Sequence, residues 1–196
     1  MSAANDVEEG RLRPDRYSKA QRRSITEALE LFADNGVSGT SLQMIANAVG
    51  VTKAAIYHQF KTKDAIVLAV AEVELARLEA ALDAAQAEPS RSQARAELLT
   101  NLIDFAVERR RWVSALQGDP VMVRLLGSHK PFLDLMNGVY ALLLDQDANP
   151  ANYLRIAIIS AAIGGAIVHP LVAGLDDETL RAELIAVTRR LFELPD

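Results

Sequence analysis

The run GVTKAAIYHQFKTKD, residues 50–64, gathers groups able to hold a polyanion. Thr52 offers a hydroxyl, Tyr57 a phenol, His58 an imidazole and Gln59 an amide, while Lys53, Lys61 and Lys63 offer ammonium groups. Hydroxyls, phenols, amines and backbone N–H groups bind phosphate oxygens, and side-chain amides meet base edges. At helical spacing, Val51, Ala55, Ile56 and Phe60 fall on one side of this segment. Thr52, Lys53, Ala54, Tyr57 and His58 fall on the other, with Gln59 at the edge. The apolar set is expected inside and the polar set outside. A merely solvated helix face is the plain alternative.

Such a face needs neighbours to aim it. Leu42, Ile45, Ala46 and Val49 repeat at helical steps, and Gly50 interrupts them before Thr52 restarts a helix. Two short helices, 41–48 and 53–59, joined by Gly50-Val51-Thr52, have the spacing of a helix-turn-helix. The turn takes a backbone conformation easiest for Gly. Ala46 and Ala55 are small enough to let the helices cross closely. Upstream, Ser18-Lys19-Ala20-Gln21 reads as a capping box opening a helix whose inner stripe is Ile25, Ala28, Leu29, Phe32 and Ala33. Asn35-Gly36 is expected to stop it in a left-handed cap. Thr40-Ser41-Leu42-Gln43 reads as a second capping box.

Downstream, Thr62 is expected to cap a long helix over 63–86, with Ile66, Val70, Val73, Leu78 and Leu82 inside and Pro89 after its end. Further helices are expected near 91–110, 119–127, 131–147, 150–173 and 177–192, about nine in all. Asn149-Pro150 and Asp176 mark two of their starts. No stretch alternates with period two for long enough to make a sheet. The expected fold is all-α: residues 1–17 a flexible arm, 18–62 a three-helix domain with the helix-turn-helix, and 63–196 a larger helical domain.

Bulk properties agree with such a division. The chain has 196 residues, half of them hydrophobic, and a formal charge of −5. Residues 1–63 carry nine Lys/Arg against seven Asp/Glu, whereas the remainder carries twelve against nineteen. A polyanion would therefore be met at the front. The absence of cysteine removes disulfides and thiolate metal sites and fits a cytoplasmic protein. The first residues contain no apolar run of the kind a secretory signal carries. His58, His129 and His169 lack metal-ligand spacing, so no metal or other cofactor is expected. No GxSxG, HExxH or phosphate-cradling Gly loop supports the competing reading, a helical enzyme or small-molecule carrier.

Residues 40–66, TSLQMIANAVGVTKAAIYHQFKTKDAI, resemble the DNA-binding signature of TetR-type transcriptional regulators. The matching positions are Thr40, Ile45-Ala46, Ala48, Gly50-Val51-Thr52, Ile56-Tyr57, Phe60 and Lys63-Asp64, with Phe32-Ala33-Asp34-Asn35-Gly36 ending the first helix in the same style. The resemblance spans about residues 18–70. It implies a dimeric repressor bound to a palindromic operator and released by a small effector, and not an enzyme. Carried onto this chain, it implies that Thr40 and Ser41 open a phosphate-binding helix and that Thr52, Lys53 and Ala54 begin the recognition helix. It places Tyr57 and Lys63 on phosphates, with His58 on the same face. Gln59 departs from the family, which has His or Tyr there. It either reads adenine through its amide or packs at the helix edge.

Residues 156–175, IAIISAAIGGAIVHPLVAGL, carry no Asp, Glu, Lys or Arg. Their most apolar part, 156–168, reaches roughly 20 Å as a helix, short of a hydrocarbon core of about 30 Å. A buried helix or a subunit interface is expected instead. Ser160, Ala161, Gly164 and Gly165 are the small residues on which a partner helix would close. The resemblance implies a homodimer through 150–173 and 177–192. It also implies a ligand cavity among the helices from 63 to 173, where the larger or polar side chains are Phe105, Trp112, Met122, His129, Phe132, Met136, Tyr140 and His169. An apolar lining would suit a hydrophobic or amphipathic effector, which would act through the helix at 63–86.

Overall fold

A computed structural model describes residues 10–143 and 150–191. Ten α-helices follow in order: α1 (Lys19–Gly39), α2 (Leu42–Val49), α3 (Lys53–Gln59), α4 (Lys63–Ala87), α5 (Arg91–Glu108), α6 (Arg110–Gly118), α7 (Pro120–Leu126), α8 (Lys130–Leu143), α9 (Pro150–Ala166) and α10 (Asp177–Leu191). Short 3-10 turns lie at Pro14–Arg16 and Pro170–Val172. No strand occurs among the described residues, so the all-α expectation holds.

The expected run over 91–110 ends at Glu108, and α6 is an element the periodicity did not separate. Arg109 and Arg111 are exposed where that helix ends. The backbone bends at Arg109, whose N–H donates to Phe105 O, and Trp112 and Val113 are buried in the next turn. The helix expected over 150–173 stops at Ala166, and His169-Pro170 opens a 3-10 turn. Pro lacks the N–H a continuing helix needs. The Asn149 cap lies outside the described residues.

The chain forms two compact units. The first comprises the described residues up to Arg77 together with Ala115–Asp134. In it α1, α2 and α3 pack on one another, and α7 packs on α1. Phe32, Val37, Ile45, Ala46, Ile56 and Ile66 are fully buried. Residues 10–17 are not a loose arm: Leu12 and Tyr17 are buried, and the 3-10 turn between them is fixed by Arg22, which donates to Pro14 O (2.9 Å) and Tyr17 O (3.1 Å).

The second unit comprises Leu78–Ser114 and the described residues from Leu135 onward. Here α10 and α9 lie against α5, over a core that includes Leu98, Leu99, Ile103, Trp112 and Ile167. Arg181 holds Asp104 through two guanidinium nitrogens, and Arg110 pairs with Asp177. Asp176 caps α10, its carboxyl kept below the usual range by the backbone and hydroxyl hydrogen bonds from Thr179.

Candidate nucleic-acid interface

The recognition surface is built from caps and one turn. Ser18 Oγ accepts from Gln21 N at 3.3 Å, and Gln21 Oε1 accepts from Ser18 N at 3.0 Å, completing the expected capping box. Gln21 then uses its amide N–H to reach Gln59 O at 3.2 Å, tying the end of α3 to the start of α1. Gly50 ends α2 with φ 75° and ψ 36°. This left-handed conformation costs a residue with a Cβ about 1–2 kcal/mol. Its N–H and that of Val51 satisfy the last carbonyls of α2, at 3.1 and 2.9 Å. Arg23 supplies a further donor to Val49 O at 3.2 Å. Thr52 Oγ1 then accepts from Ala55 N at 3.2 Å and starts α3.

Through these constraints α3 is fixed by Ile56 and Phe60, both buried, while Val51 and Ala55 are half-buried. Thr52, Lys53, Ala54, Tyr57 and His58 are exposed. Tyr57 keeps 45% of its surface open although it is a large ring. The Lys53 ammonium stands 5.8 Å from the Tyr57 ring centroid, within cation–π reach. On α2, Ser41 is exposed and caps Met44 N at 3.2 Å. An exposed ring, imidazole, hydroxyl and amine on one short helix form a surface suited to phosphates and base edges.

Three expected contact residues are engaged elsewhere. Thr40 is 1% exposed. Its hydroxyl lies 2.8 Å from Gly36 O and 3.0 Å from Leu31 O, and its N–H is 3.3 Å from Val37 O. Neither its hydroxyl nor its N–H is open to a phosphate, and Ser41 is the true cap of α2. Gln43 does not complete the second capping box, because its amide donates to Asn47 Oδ1 at 2.8 Å. Lys63 donates to Val37 O at 2.8 Å and Thr40 O at 3.0 Å. An ammonium has three protons, so one remains for an anion. Gly36, with φ 69° and ψ 167°, kinks α1 just before Val37. The carbonyls that Thr40 and Lys63 take lie in this last, kinked stretch of α1 and at its end, where helix carbonyls lack intrahelical partners.

Gln59 is the third. Its Oε1 lies 2.9 Å from the hydroxyl of Ser24, which is fully buried. Of the two alternatives, the geometry fits packing against α1. Replacing Gln59 by Ala should leave base preference in selected DNA unchanged while costing about 1 kcal/mol of stability, one hydrogen bond's worth. Selection of bound sequences and a denaturation curve check the two halves. A changed base at any operator position would restore Gln59 as a reader.

The eight expected pocket residues are divided between the units. In the first, Met122 is fully buried, Phe132 is half-buried and His129 contacts Glu72. In the second, Phe105 and Trp112 are buried, Met136 and Tyr140 are half-buried, and His169 is exposed, its ring accepting from Leu171 N at 3.2 Å. The indole N–H of Trp112 is buried with no acceptor among the described residues. A surface groove of about 320 Å³ on α5 and α10 is lined by Gln93, Ala96, Glu97, Thr100, Asn101 and Arg189, none of which was expected there. Of the four small residues on α9, Ala161 and Gly165 are exposed, Ser160 is half-buried, and Gly164 is buried inside the unit, turned from any partner.

The geometry has counterparts. The profile described as bacterial regulatory proteins of the tetR family matches residues 25–70, from inside α1 to inside α4. Residues 25–70 carry the DNA-binding segment of the tetR family. Forty-five residues are 49% identical to the HTH-type transcriptional regulator AcrR of Shigella flexneri, covering 23% of this chain and 21% of that protein. The alignments span about a fifth of the curated relatives' length. The TetR-like regulator from Rhodococcus sp. RHA1 shares the fold with a TM-score of 0.66 at 20% identity, over 88% of this chain and 95% of that one. AibR, solved with isovaleryl coenzyme A and operator DNA, has a TM-score of 0.64 at 18% identity, over 86% and 97%. Among the described residues, no helix is long and apolar enough to cross a membrane.

Proposed function

We propose that this TetR-family protein is a cytoplasmic, dimeric repressor that reads a palindromic operator with α3 and is released by a small hydrophobic or amphipathic effector. The observation that carries the reading is the face of α3. Lys53, Tyr57 and His58 are held outward by buried Ile56 and Phe60, on a helix with a constrained entry turn and a tethered end. Thr52, Lys53 and Ala54 enter the major groove, Ser41 and Tyr57 hold phosphates, and the remaining proton of Lys63 supplements them. Exposed apolar side chains on α9 and α10 support dimerisation through these helices. The effector remains an analogy with AibR, strengthened by the unpaired Trp112 N–H in the second unit.

Selection of bound sequences with the full-length protein tests the DNA reading. A palindrome with half-sites about one helical turn apart is expected. On that DNA, Lys53→Ala and Tyr57→Ala should each weaken binding by about 1–3 kcal/mol, and loss of the Lys53 charge should flatten the salt dependence. Unchanged affinity in both variants would remove α3 from the interface.

A further inference from the structure

Glu72 is the one buried acid among the described residues of the first unit. It lies on α4, in the apolar run AIVLAVAEVELA, and is only 3% exposed. A buried carboxylate must be paired and hydrogen-bonded, and its partners come from two remote parts of the chain. Arg16 Nη2 donates to Oε1 at 2.9 Å, and the Tyr17 phenol donates to Oε2 at 2.8 Å. His129 Nε2 approaches Oε1 at 3.2 Å. Arg16 also covers the Tyr17 ring at 5.0 Å and donates to its oxygen at 2.8 Å. Burial pushes the Tyr17 phenol up to about 12, with the adjoining Glu72 adding to the rise and Arg16 opposing it. Tyr17 thus stays a donor at neutral pH.

The cluster has a near end and a far end. At the near end, Tyr17 packs on Phe60, ring centroids 6.3 Å apart, and Phe60 is the residue that ends α3. At the far end, His129 precedes α8, its carbonyl accepting from Leu133 N at 3.1 Å. The contacts differ in quality. The Arg16 and Tyr17 bonds are short, whereas the His129 contact is the longest. The other imidazole nitrogen, Nδ1, is buried with no partner among the described residues. Without His129, Glu72 would still hold two donors, Arg16 and Tyr17. An unpaired buried nitrogen beside a long hydrogen bond marks this as the contact that gives way first.

We propose that Glu72 is a positioning residue that couples the start of α8 to the recognition helix, with His129 as its input and Tyr17 against Phe60 as its output. The proposal rests on the reading of α3 as the DNA-reading helix. It adds a regulatory route: whatever displaces the α8 N-terminus withdraws one donor from Glu72. The carboxylate then shifts toward Arg16 and Tyr17, and the Tyr17 ring carries the end of α3 with it.

Amide hydrogen exchange on the full-length protein, without DNA, tests the coupling. His129→Leu should raise exchange over residues 12–17 and 56–60 at least about fivefold, the lower end of ordinary coupling, although His129 is not among the contacts of either segment described above. Tyr17→Phe keeps the ring on Phe60 but removes the donor, and should loosen the same segments. The double variant should exceed the larger single effect only slightly, and His129→Gln, which retains an N–H, should restore the wild-type pattern. A rise confined to 126–133 in His129→Leu overturns the proposal, as does strict additivity in the double variant. Should His129→Leu fail to fold, the pattern of Tyr17→Phe and His129→Gln decides. Affinity for the selected DNA separates the two readings. Wild-type protein that shows the exchange coupling but selects no DNA sinks the DNA reading. DNA binding without coupled exchange sinks this inference alone.

Discussion

Asp119→Ala is expected to cost about 2–4 kcal/mol, among the largest single-residue losses in the first unit. The carboxylate does two jobs. As the cap of α7 it accepts from Val121 N at 2.8 Å and Met122 N at 3.4 Å. Its other oxygen accepts from Val37 N at 2.8 Å, across 82 residues of chain. Val37 is fully buried and lies just past the Gly36 kink. Losing a helix cap costs about 0.5–2 kcal/mol, and stranding a buried N–H costs about 1–3 kcal/mol. Asp119→Asn keeps an acceptor and should cost less than half as much. Denaturation curves at neutral pH compare the three proteins. A loss under about 0.5 kcal/mol for the alanine variant would mean that water replaces the carboxylate at both ends.

The same residue sets a pH dependence. Burial works against ionisation of Asp119, but backbone hydrogen bonds from Val121, Val37, Met122 and Ser38 outweigh it and hold the carboxyl below its usual range. A folded-state value below the unfolded one gives stability that is present above the unfolded carboxylate value of about 3.9. It is lost as pH falls through the folded value. The stability gap between wild type and Asp119→Ala should therefore be constant from pH 7 to about pH 5 and should narrow only in acid below about pH 4.

Local chemistry was legible in the sequence and long-range chemistry was not. Ser18, Thr52, Thr62 and Asp176 each cap a backbone N–H three residues on, so residue type and spacing suffice to find them. The break at Gly50 and the two faces of α3 are equally local, because periodicity alone divides Ile56 and Phe60 from Lys53, Tyr57 and His58. The resemblance placed Thr40 and Lys63 on phosphates, and Gln59 stood between reading adenine and packing at the helix edge. The bond from Thr40 to Gly36 O spans four residues and was open to a spacing rule, but the Val37 carbonyl that Lys63 reaches and the Ser24 hydroxyl that Gln59 reaches are 26 and 35 residues away. A helix was expected near 119–127, but nothing near Asp119 pointed to Val37. Glu72 did leave a signal, a lone acid in an apolar stripe, that went unused. The break between α5 and α6 was hidden because three arginines can end one helix or begin another.

If the proposed dimer forms through α9, Ile158→Glu should leave only the single 21.3-kDa chain. Leu154, Ile158, Ala161, Gly165 and Val168 follow one another at steps of four and three, the spacing of one helix face. All five are exposed, Leu154 by 61% and Ile158 by 58%. Covering one such aliphatic side chain is worth about 1.5–3 kcal/mol, and a two-fold contact counts each residue twice. A carboxylate at 158 would appear twice in the same interface, each copy losing water without gaining a partner, at a cost of several kcal/mol. Such a loss exceeds what most standard interfaces can absorb while staying assembled at micromolar concentration. Gly165→Leu supplies the folding control: a Cβ there meets nothing within 4 Å in the chain, so the variant should fold normally yet obstruct close approach of a partner helix. Sedimentation reads both variants, and each should also weaken operator binding, since a monomer engages one half-site at a time. A dimer that survives Ile158→Glu would place the interface elsewhere. Weakened operator binding by a Gly165→Leu protein that is still dimeric would show instead that the α9 face sets the spacing of the two α3 helices without holding the subunits together.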